Sequence, residues 1–172
     1  MTTDAVRRAA QRVLSRVGAE ALPVDLEAIA QRLRVPVVRE RLASDVTGAV
    51  VLSPAGAALL INTRQPEPRQ RRVIAHLLGH VQLGHRFAEG HVHVDRDFEG
   101  YREERSCKGA DRLEFEANIF GAMLLMPPAL VRARVAALGH QGLTDTDIQH
   151  LASEFDVSVQ GMTLRLAREG LL

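Results

Sequence analysis

Two histidines, His76 and His80, lie four residues apart in the segment AHLLGH that begins at Ala75. On a helix, this spacing projects both imidazoles from one face about one turn apart, so both can reach a single ion. Imidazole nitrogens are common zinc ligands, and the spacing therefore favours a metal site. The alternative is a chance pair of surface or core histidines, because short motifs often match by accident.

A zinc site of this type needs a third protein ligand, which a carboxylate from a following helix can supply. Glu114 and Glu116 both lie in such a predicted helix. Glu114 shares a helix face with Asn118, so Glu114 can bind the ion while the Asn118 amide supports one imidazole from behind. Glu116 points about 200° away from Glu114. Glu114 is therefore the predicted ligand, and a solvated carboxylate is the simpler interpretation of Glu116.

Two predicted helices must carry these residues. The first runs from Arg69 to Leu83, with apolar residues on its inward side and Gly84 as its stop. The second runs from Ala110 to Met126 and ends at two prolines. We expect these helices to cross and form a metal cleft.

The rest of the chain predicts an α+β fold, with a small antiparallel sheet flanked by helices. A helix capped by Thr3 or Asp4 and a short helix capped by Asp25 come first. Short β-rich runs follow at 35–38, 46–52 and 57–61. Three further helices are predicted at 128–138, 145–155 and 159–169, the last two capped by Thr144 and Ser158. The polar segment 87–109 is interpreted as a long connection, and connections of that length are often functional.

Composition excludes several classes of protein. The 172 residues are 46% hydrophobic and 25% charged, which is typical of a globular domain. The formal net charge of +1 argues against direct nucleic-acid binding. Cys107 is the only cysteine, and no apolar run approaches the roughly 20 residues that span a bilayer. We therefore expect a cytoplasmic protein with no membrane partner.

Two separated runs resemble the ImmA/IrrE family of zinc metallo-endopeptidases. RQRRVIAHLLGH, which begins at Arg69, is similar to the family segment RQRFTxAHExGH, and EFEANIFGAMLLMP, which begins at Glu114, is similar to ExEANxFAxxLLMP. Weaker similarity covers most of the remaining chain. The resemblance implies a zincin-like metallopeptidase domain over residues 1–138, with a helical extension over 139–172 packed on it. It also implies Zn²⁺ bound by His76, His80 and Glu114, with Asn118 behind an imidazole.

The chain departs from the family at one catalytic position, because Leu77 stands where the family has glutamate after the first histidine. That glutamate is the general base, which takes a proton from the attacking water and passes it to the leaving amine. Losing a positioned acid/base group typically lowers the rate by about 10² to 10⁴. Glu116 and the acidic cluster of Glu99, Glu103 and Glu104 are the candidate substitute carboxylates.

The resemblance also implies a class of partner, because many family members are linked to cleavage of helix-turn-helix repressors. With Leu77 in place of the base, we interpret the chain as a zinc-binding pseudopeptidase that binds a protein or peptide partner. That partner would be a helix-turn-helix repressor or a toxin-system component. The alternative is an active zinc endopeptidase that cleaves a transcriptional repressor in stress or mobile-element regulation, with another group as base.

The remaining candidate residues allow weaker interpretations. His85 lies beyond the predicted helix end and is interpreted as a surface residue, with a place in the cleft as the alternative. His91 and His93 alternate in a strand-like stretch and could bind adventitious metal. Cys107 is interpreted as a plain free thiol. The two terminal helices faintly resemble a helix-turn-helix, but the second carries only two arginines, Arg165 and Arg168, which favours a packing role.

Overall fold

The computed structural model describes residues 1–18, 21–87, 92–96, 110–139 and 142–172. Within these ranges the chain forms seven helices and one four-stranded sheet, which confirms the predicted α+β class. The helices are α1 (Thr3–Val17), α2 (Leu26–Arg32), α3 (Glu67–Gln82), α4 (Ala110–Leu125), α5 (Pro128–Ala137), α6 (Asp145–Glu154) and α7 (Val159–Arg168). The cap of α1 is Thr2 rather than Thr3 or Asp4, because the Thr2 hydroxyl accepts the hydrogen bond from the Ala5 amide.

The strands are β1 (Val37–Glu40), β2 (Val46–Ser53), β3 (Gly56–Asn62) and β4 (Val92–Arg96), and their order in the sheet is β1-β3-β2-β4. β2 pairs antiparallel with β3 and with β4, whereas β1 pairs parallel with β3. The prediction of a wholly antiparallel sheet is therefore wrong for β1. The chain reverses direction between β1 and β2 and again between β2 and β3, so β1 and β3 run in the same direction. In the sheet, β3 lies between β1 and β2.

β4 lies within the segment that was predicted to be a long connection. It pairs with β2 and carries His93 and Asp95. Several predicted features of that connection lie outside the described residues: His91, Glu99, Glu103, Glu104 and Cys107. The part of the connection that forms β4 belongs to the sheet.

Helix α3 packs against the sheet on one side and against α4 on another. One close contact with the sheet is at Gly48 in β2. A β-carbon at Gly48 would lie 2.7 Å from Val73 Cγ1 and 3.1 Å from Leu77 Cδ1. Val73 and Leu77 are one turn apart on α3, so this face of the helix is directed at the sheet.

The crossing of α3 and α4 is close enough to bring backbone against backbone. A β-carbon at Gly79 would lie 2.8 Å from the carbonyl oxygen of Ala117, and one at Gly121 would lie 3.0 Å from the amide nitrogen of His76. Real β-carbons essentially never approach other atoms as closely as 2.8 Å, so Gly79 requires glycine for this geometry, and a side chain at Gly121 would be tighter than nine in ten real contacts. The predicted crossing of the two helices is therefore present, and glycines set its spacing.

The C-terminal helices share the main hydrophobic core. Leu151, Phe155, Met162 and Leu166 are almost fully buried in the same cluster as the residues of α3 and α4. Arg165 on α7 is also buried, and its guanidinium contacts the sulfur of Met123 at 3.2 Å. Burial lowers the pKa of Arg165 to about 10. A side chain in that position packs against the protein, which fits the packing role predicted for α7. The division of the chain at residue 138 stays a prediction.

No single helix in the described ranges is long and apolar enough to cross a bilayer. Arg112–Leu125 and Pro128–Ala137 meet the criteria of length and composition only as a pair bent by 43°. A buried core helix meets the same criteria, and α4 is such a helix.

Candidate metal centre

The crossing of α3 and α4 brings three predicted ligands together. The Nε2 atoms of His76 and His80 are 3.0 Å apart. Glu114 Oε2 lies 3.0 Å from His76 Nε2, and Glu114 Oε1 lies 3.4 Å from His80 Nε2. Each of the three side chains therefore directs a ligand atom at one common point, and the group can hold a metal ion.

These separations test whether the donor set suits zinc. Nitrogen and oxygen ligands lie about 2.0 to 2.1 Å from a four-coordinate zinc ion, which places two ligands of a regular tetrahedron about 3.3 Å apart. The separation of the two Nε2 atoms, 3.0 Å, lies close to that value. So do the distances from His76 Nε2 to Glu114 Oε2, 3.0 Å, and from His80 Nε2 to the other carboxylate oxygen, Oε1, 3.4 Å. Two imidazoles and one carboxylate are also a donor set found in zinc enzymes. The residues therefore fit the ion.

Asn118 fixes the orientation of His76. Its side-chain oxygen lies 3.0 Å from His76 Nδ1. An amide oxygen only accepts hydrogen bonds, so Nδ1 of His76 carries the proton and donates a hydrogen bond to Asn118. The lone pair on Nε2 is then free, which is the form that binds a cation. Asn118 thus takes the supporting position that its spacing from Glu114 predicts.

The protonation states of the site suit a cation. Burial lowers the pKa of His80 to about 4, so this imidazole is neutral near pH 7. Burial by itself raises the pKa of Glu114, but the surrounding imidazoles of His76, His80 and His93 reverse that effect and hold it well below its ordinary value. Metal ligands must be neutral imidazoles and ionised carboxylates, and His80 and Glu114 are already in that form.

Leu77 follows His76 directly and is fully buried. Its side chain packs on β2 near Gly48, in the interface between α3 and the sheet. Leucine offers neither a proton acceptor nor a proton donor to a reaction at the adjacent centre. The position that the family uses for its general base is thus filled by an apolar group in a tightly packed interface.

His85 is buried, with 7% of its surface exposed, so its interpretation as a surface residue is wrong. Its Nδ1 lies 3.1 Å from Nδ1 of His80, and its Nε2 lies 3.2 Å from Oε2 of Glu116. Gly84 does more than end helix α3. Gly84 has a left-handed φ of 66°, which turns the chain so that His85 folds back under His80.

Glu116 is likewise buried, with 3% of its surface exposed, and is not a solvated carboxylate. It accepts hydrogen bonds from His85, from Arg112 Nε at 2.9 Å and from the α-amino group of Met1. Burial by itself raises the pKa of Glu116, but these three contacts lower it overall. Its carboxylate lies on the Nδ1 side of His80, behind the ligand atoms. That position does not suit the role of substitute base considered for Glu116.

His93 on β4 is a third imidazole at the centre. Its Nε2 lies 3.1 Å from Glu114 Oε1, and its ring stacks on Phe87 with centroids 4.3 Å apart. The sequence suggested that His93 could bind adventitious metal, but the sheet places it beside the predicted ligand Glu114. The sequence does not reveal this position of His93, because it depends on the pairing of β4 with β2, which brings together residues distant in sequence.

The family described as the IrrE N-terminal-like domain matches residues 30–167, which is most of the chain and includes all the residues of the centre. No curated protein matches the chain.

Proposed function

Because the chain belongs to the IrrE N-terminal-like domain family of metallopeptidases, we propose that it is a zinc-binding pseudopeptidase that binds a protein or peptide partner without cutting it efficiently. The partner class that we propose is the helix-turn-helix repressor, on the basis of the family resemblance. The proposed compartment is the cytoplasm, because its reducing environment suits a protein with a single cysteine.

One observation carries the proposal: an intact set of ligands stands beside a buried leucine in the general-base position. His76, His80 and Glu114 converge within the distances that zinc requires. Leu77 is fully buried next to His76. A chain that had lost the whole function would be under no constraint to keep the converging ligands, whereas a chain that cuts peptides efficiently needs the base.

A bound zinc ion would supply a Lewis acid that attracts a carbonyl or carboxylate oxygen of the partner. Glu114 and the two imidazoles would hold the ion in place, and Asn118 keeps the His76 ring oriented. Leu77 gives the site no proton acceptor at its own position. The centre is therefore better suited to holding a partner than to hydrolysing it.

Strand β4 supports the idea of an extended peptide partner. Among the described residues β4 pairs on one side only, with β2, and so forms an edge of the sheet. His93 on this strand contacts Glu114, so the edge lies beside the metal centre. Val92 and Val94, on the opposite face of the strand, are 42% and 37% exposed. An exposed strand edge can accept an extended peptide by backbone pairing.

The proposal is tested by measuring binding and cleavage together. Zinc-loaded protein is titrated with fluorescent peptides that tile purified helix-turn-helix repressors, with anisotropy reporting binding and mass spectrometry reporting cleavage. We expect saturable, zinc-dependent binding with the peptides left intact. The His76→Ala variant is the control and should lose the zinc-dependent part. Turnover by the unaltered chain, or the absence of saturable binding, contradicts the proposal.

The alternative, an active zinc endopeptidase, has one observation in its favour. Asp95 on β4 is buried and lines a small pocket together with His76, Asn118 and Thr47. However, the Thr47 hydroxyl already donates to its carboxylate at 2.7 Å, and the pocket lies on the Asn118 side of the His76 ring. If the unaltered chain does cut peptides, the Asp95→Asn variant shows whether this carboxylate is the base.

A further inference from the structure

The end of α3 places His85 against His80 by backbone geometry. The amide of His85 donates to the carbonyl of His80 at 3.1 Å, and the amide of Gly84 donates to the carbonyl of Val81 at 3.2 Å. With Gly84 in the left-handed conformation, these two bonds form a Schellman motif. This motif normally brings two apolar side chains together. Here it brings together two imidazoles.

The contacts between the imidazoles allow one assignment of protons if His80 binds a cation. Nε2 of His80 faces Glu114 and His76, so it must offer its lone pair, and the proton of the neutral ring lies on Nδ1. Nδ1 of His80 then donates to Nδ1 of His85, 3.1 Å away. His85 must therefore carry its own proton on Nε2. That N–H donates a hydrogen bond to Glu116 Oε2, at 3.2 Å.

The carboxylate of Glu116 is oriented to accept this hydrogen bond. Its other oxygen, Oε1, accepts a hydrogen bond from Arg112 Nε at 2.9 Å, which keeps the carboxylate ionised and oriented. His80, His85 and Glu116 are each at least nine-tenths buried, so water competes little with these bonds. Each N–H in this series of hydrogen bonds therefore has an acceptor, and the last acceptor is the ionised carboxylate of Glu116.

We infer that His85 and Glu116 are positioning residues for the metal ligand His80, and that the three form one buried relay. The relay fixes the His80 ring in the tautomer that presents Nε2. Through His85, its terminal carboxylate makes His80 a stronger ligand, as a carboxylate does when it accepts a hydrogen bond from a metal-binding imidazole. This inference rests on the proposed zinc site, and it assigns the carboxylate of Glu116 a role unrelated to acid/base catalysis.

The first test removes the charge at the end of the relay. Glu116→Gln keeps the size of the side chain and leaves all three proposed ligands in place. We expect zinc affinity, measured by competition with a chromogenic chelator, to fall about 10- to 100-fold. Glu169→Gln is the matched control, because Glu169 is a partly buried, arginine-paired carboxylate remote from the centre. It should leave zinc affinity unchanged.

A second measurement uses the unaltered protein and so does not depend on a variant folding. In the zinc-loaded protein, ¹⁵N NMR of the imidazoles should show His80 protonated on Nδ1 and His85 protonated on Nε2 only. A merely structural packing of His85 would not require that pattern. A proton on Nδ1 of His85 overturns the relay, and so does a folded Glu116→Gln protein with unaltered zinc affinity. If the unaltered protein binds no zinc, the proposed function itself fails, and the two failures are thereby distinguished.

Discussion

Gly79 on α3 lies against Ala117 on α4 so closely that a β-carbon on Gly79 would be 2.8 Å from the Ala117 carbonyl oxygen. Each of these residues directly precedes a residue of the site, His80 in one helix and Asn118 in the other. The crossing point of the helices is thus also the place where imidazoles and carboxylate meet. The separation of the ligands is set by backbone contact between two rigid helices.

Gly79→Ala should therefore affect both the fold and the site. The added methyl group meets backbone atoms, which cannot rotate away, so the helices must separate. We expect a loss of about 2 kcal/mol in the free energy of unfolding, within the usual range for overpacking, together with weaker zinc binding. Urea unfolding and zinc titration measure the two effects. Gly139→Ala is the control: its φ of 72° strains an alanine, but among the described residues nothing lies within 4 Å of a β-carbon placed there. Equal zinc affinity in the two variants would contradict this role for the crossing.

Asn118→Ala removes the acceptor for the Nδ1 proton of His76. Because the ring is then free to turn, zinc affinity should fall about 10- to 100-fold, as for other residues that orient a ligand. Asn118→Asp keeps an acceptor in the same place and should retain most of the affinity. Competition with a chelator measures both. If Asn118→Ala binds zinc as tightly as the unaltered protein, the orienting role is wrong.

Leu77→Glu introduces the carboxylate that the family has at this position, but into a tightly packed interface. Leu77 is fully buried, and its Cδ1 would be 3.1 Å from a β-carbon at Gly48. A buried carboxylate without a partner is costly, so we expect zinc-free Leu77→Glu protein to lose about 2 to 4 kcal/mol in the free energy of unfolding. Leu77→Met, which conserves volume, should lose less than about 1.5 kcal/mol. Equal stability of the two variants by urea unfolding would show that the position is not tightly packed.

Acid should destabilise the protein after its metal has been removed. The pKa of His80 is lowered by burial from 6.5 to about 4, so between these values the unfolded chain takes up a proton that the folded chain does not. The unfolded state is then favoured, and stability present above pH 6.5 is lost progressively as pH falls to 4. The loss from this group is at most about 3 kcal/mol. Urea unfolding at pH 7, 5.5 and 4.5 measures it, and His80→Asn should show a flatter profile. Stability that rises as pH falls would contradict the assignment.

The sequence was most informative where a signal is local. Helix ends were predicted to within two residues because capping residues such as Asp25, Thr144 and Ser158 act on the turn that they begin. The positions of His76, His80, Glu114 and Asn118 followed from helical periodicity. Periodicity does not predict the crossing of the two helices, although Gly79 and Gly121 are residues that permit their close approach.

What the sequence did not predict depends on contacts between distant segments. The parallel pairing of β1 with β3 leaves no local signature, because the order of strands is decided by the whole sheet. For the same reason, the place of His93 beside Glu114 follows only from the pairing of β4 with β2. His85 is a different case. A glycine in the left-handed conformation at the end of α3 brings the next residue back to His80, so Gly84 did carry a local signal.

The most direct test of the central claim is the zinc content of the purified protein, measured by mass spectrometry alongside His76→Ala and Glu114→Ala. The claim is that side chains from two separate helices hold one cation. It predicts one zinc ion per chain in the unaltered protein and none in either variant, with circular dichroism showing that all three are folded. A protein that binds no zinc, or variants that both keep it, would contradict the claim.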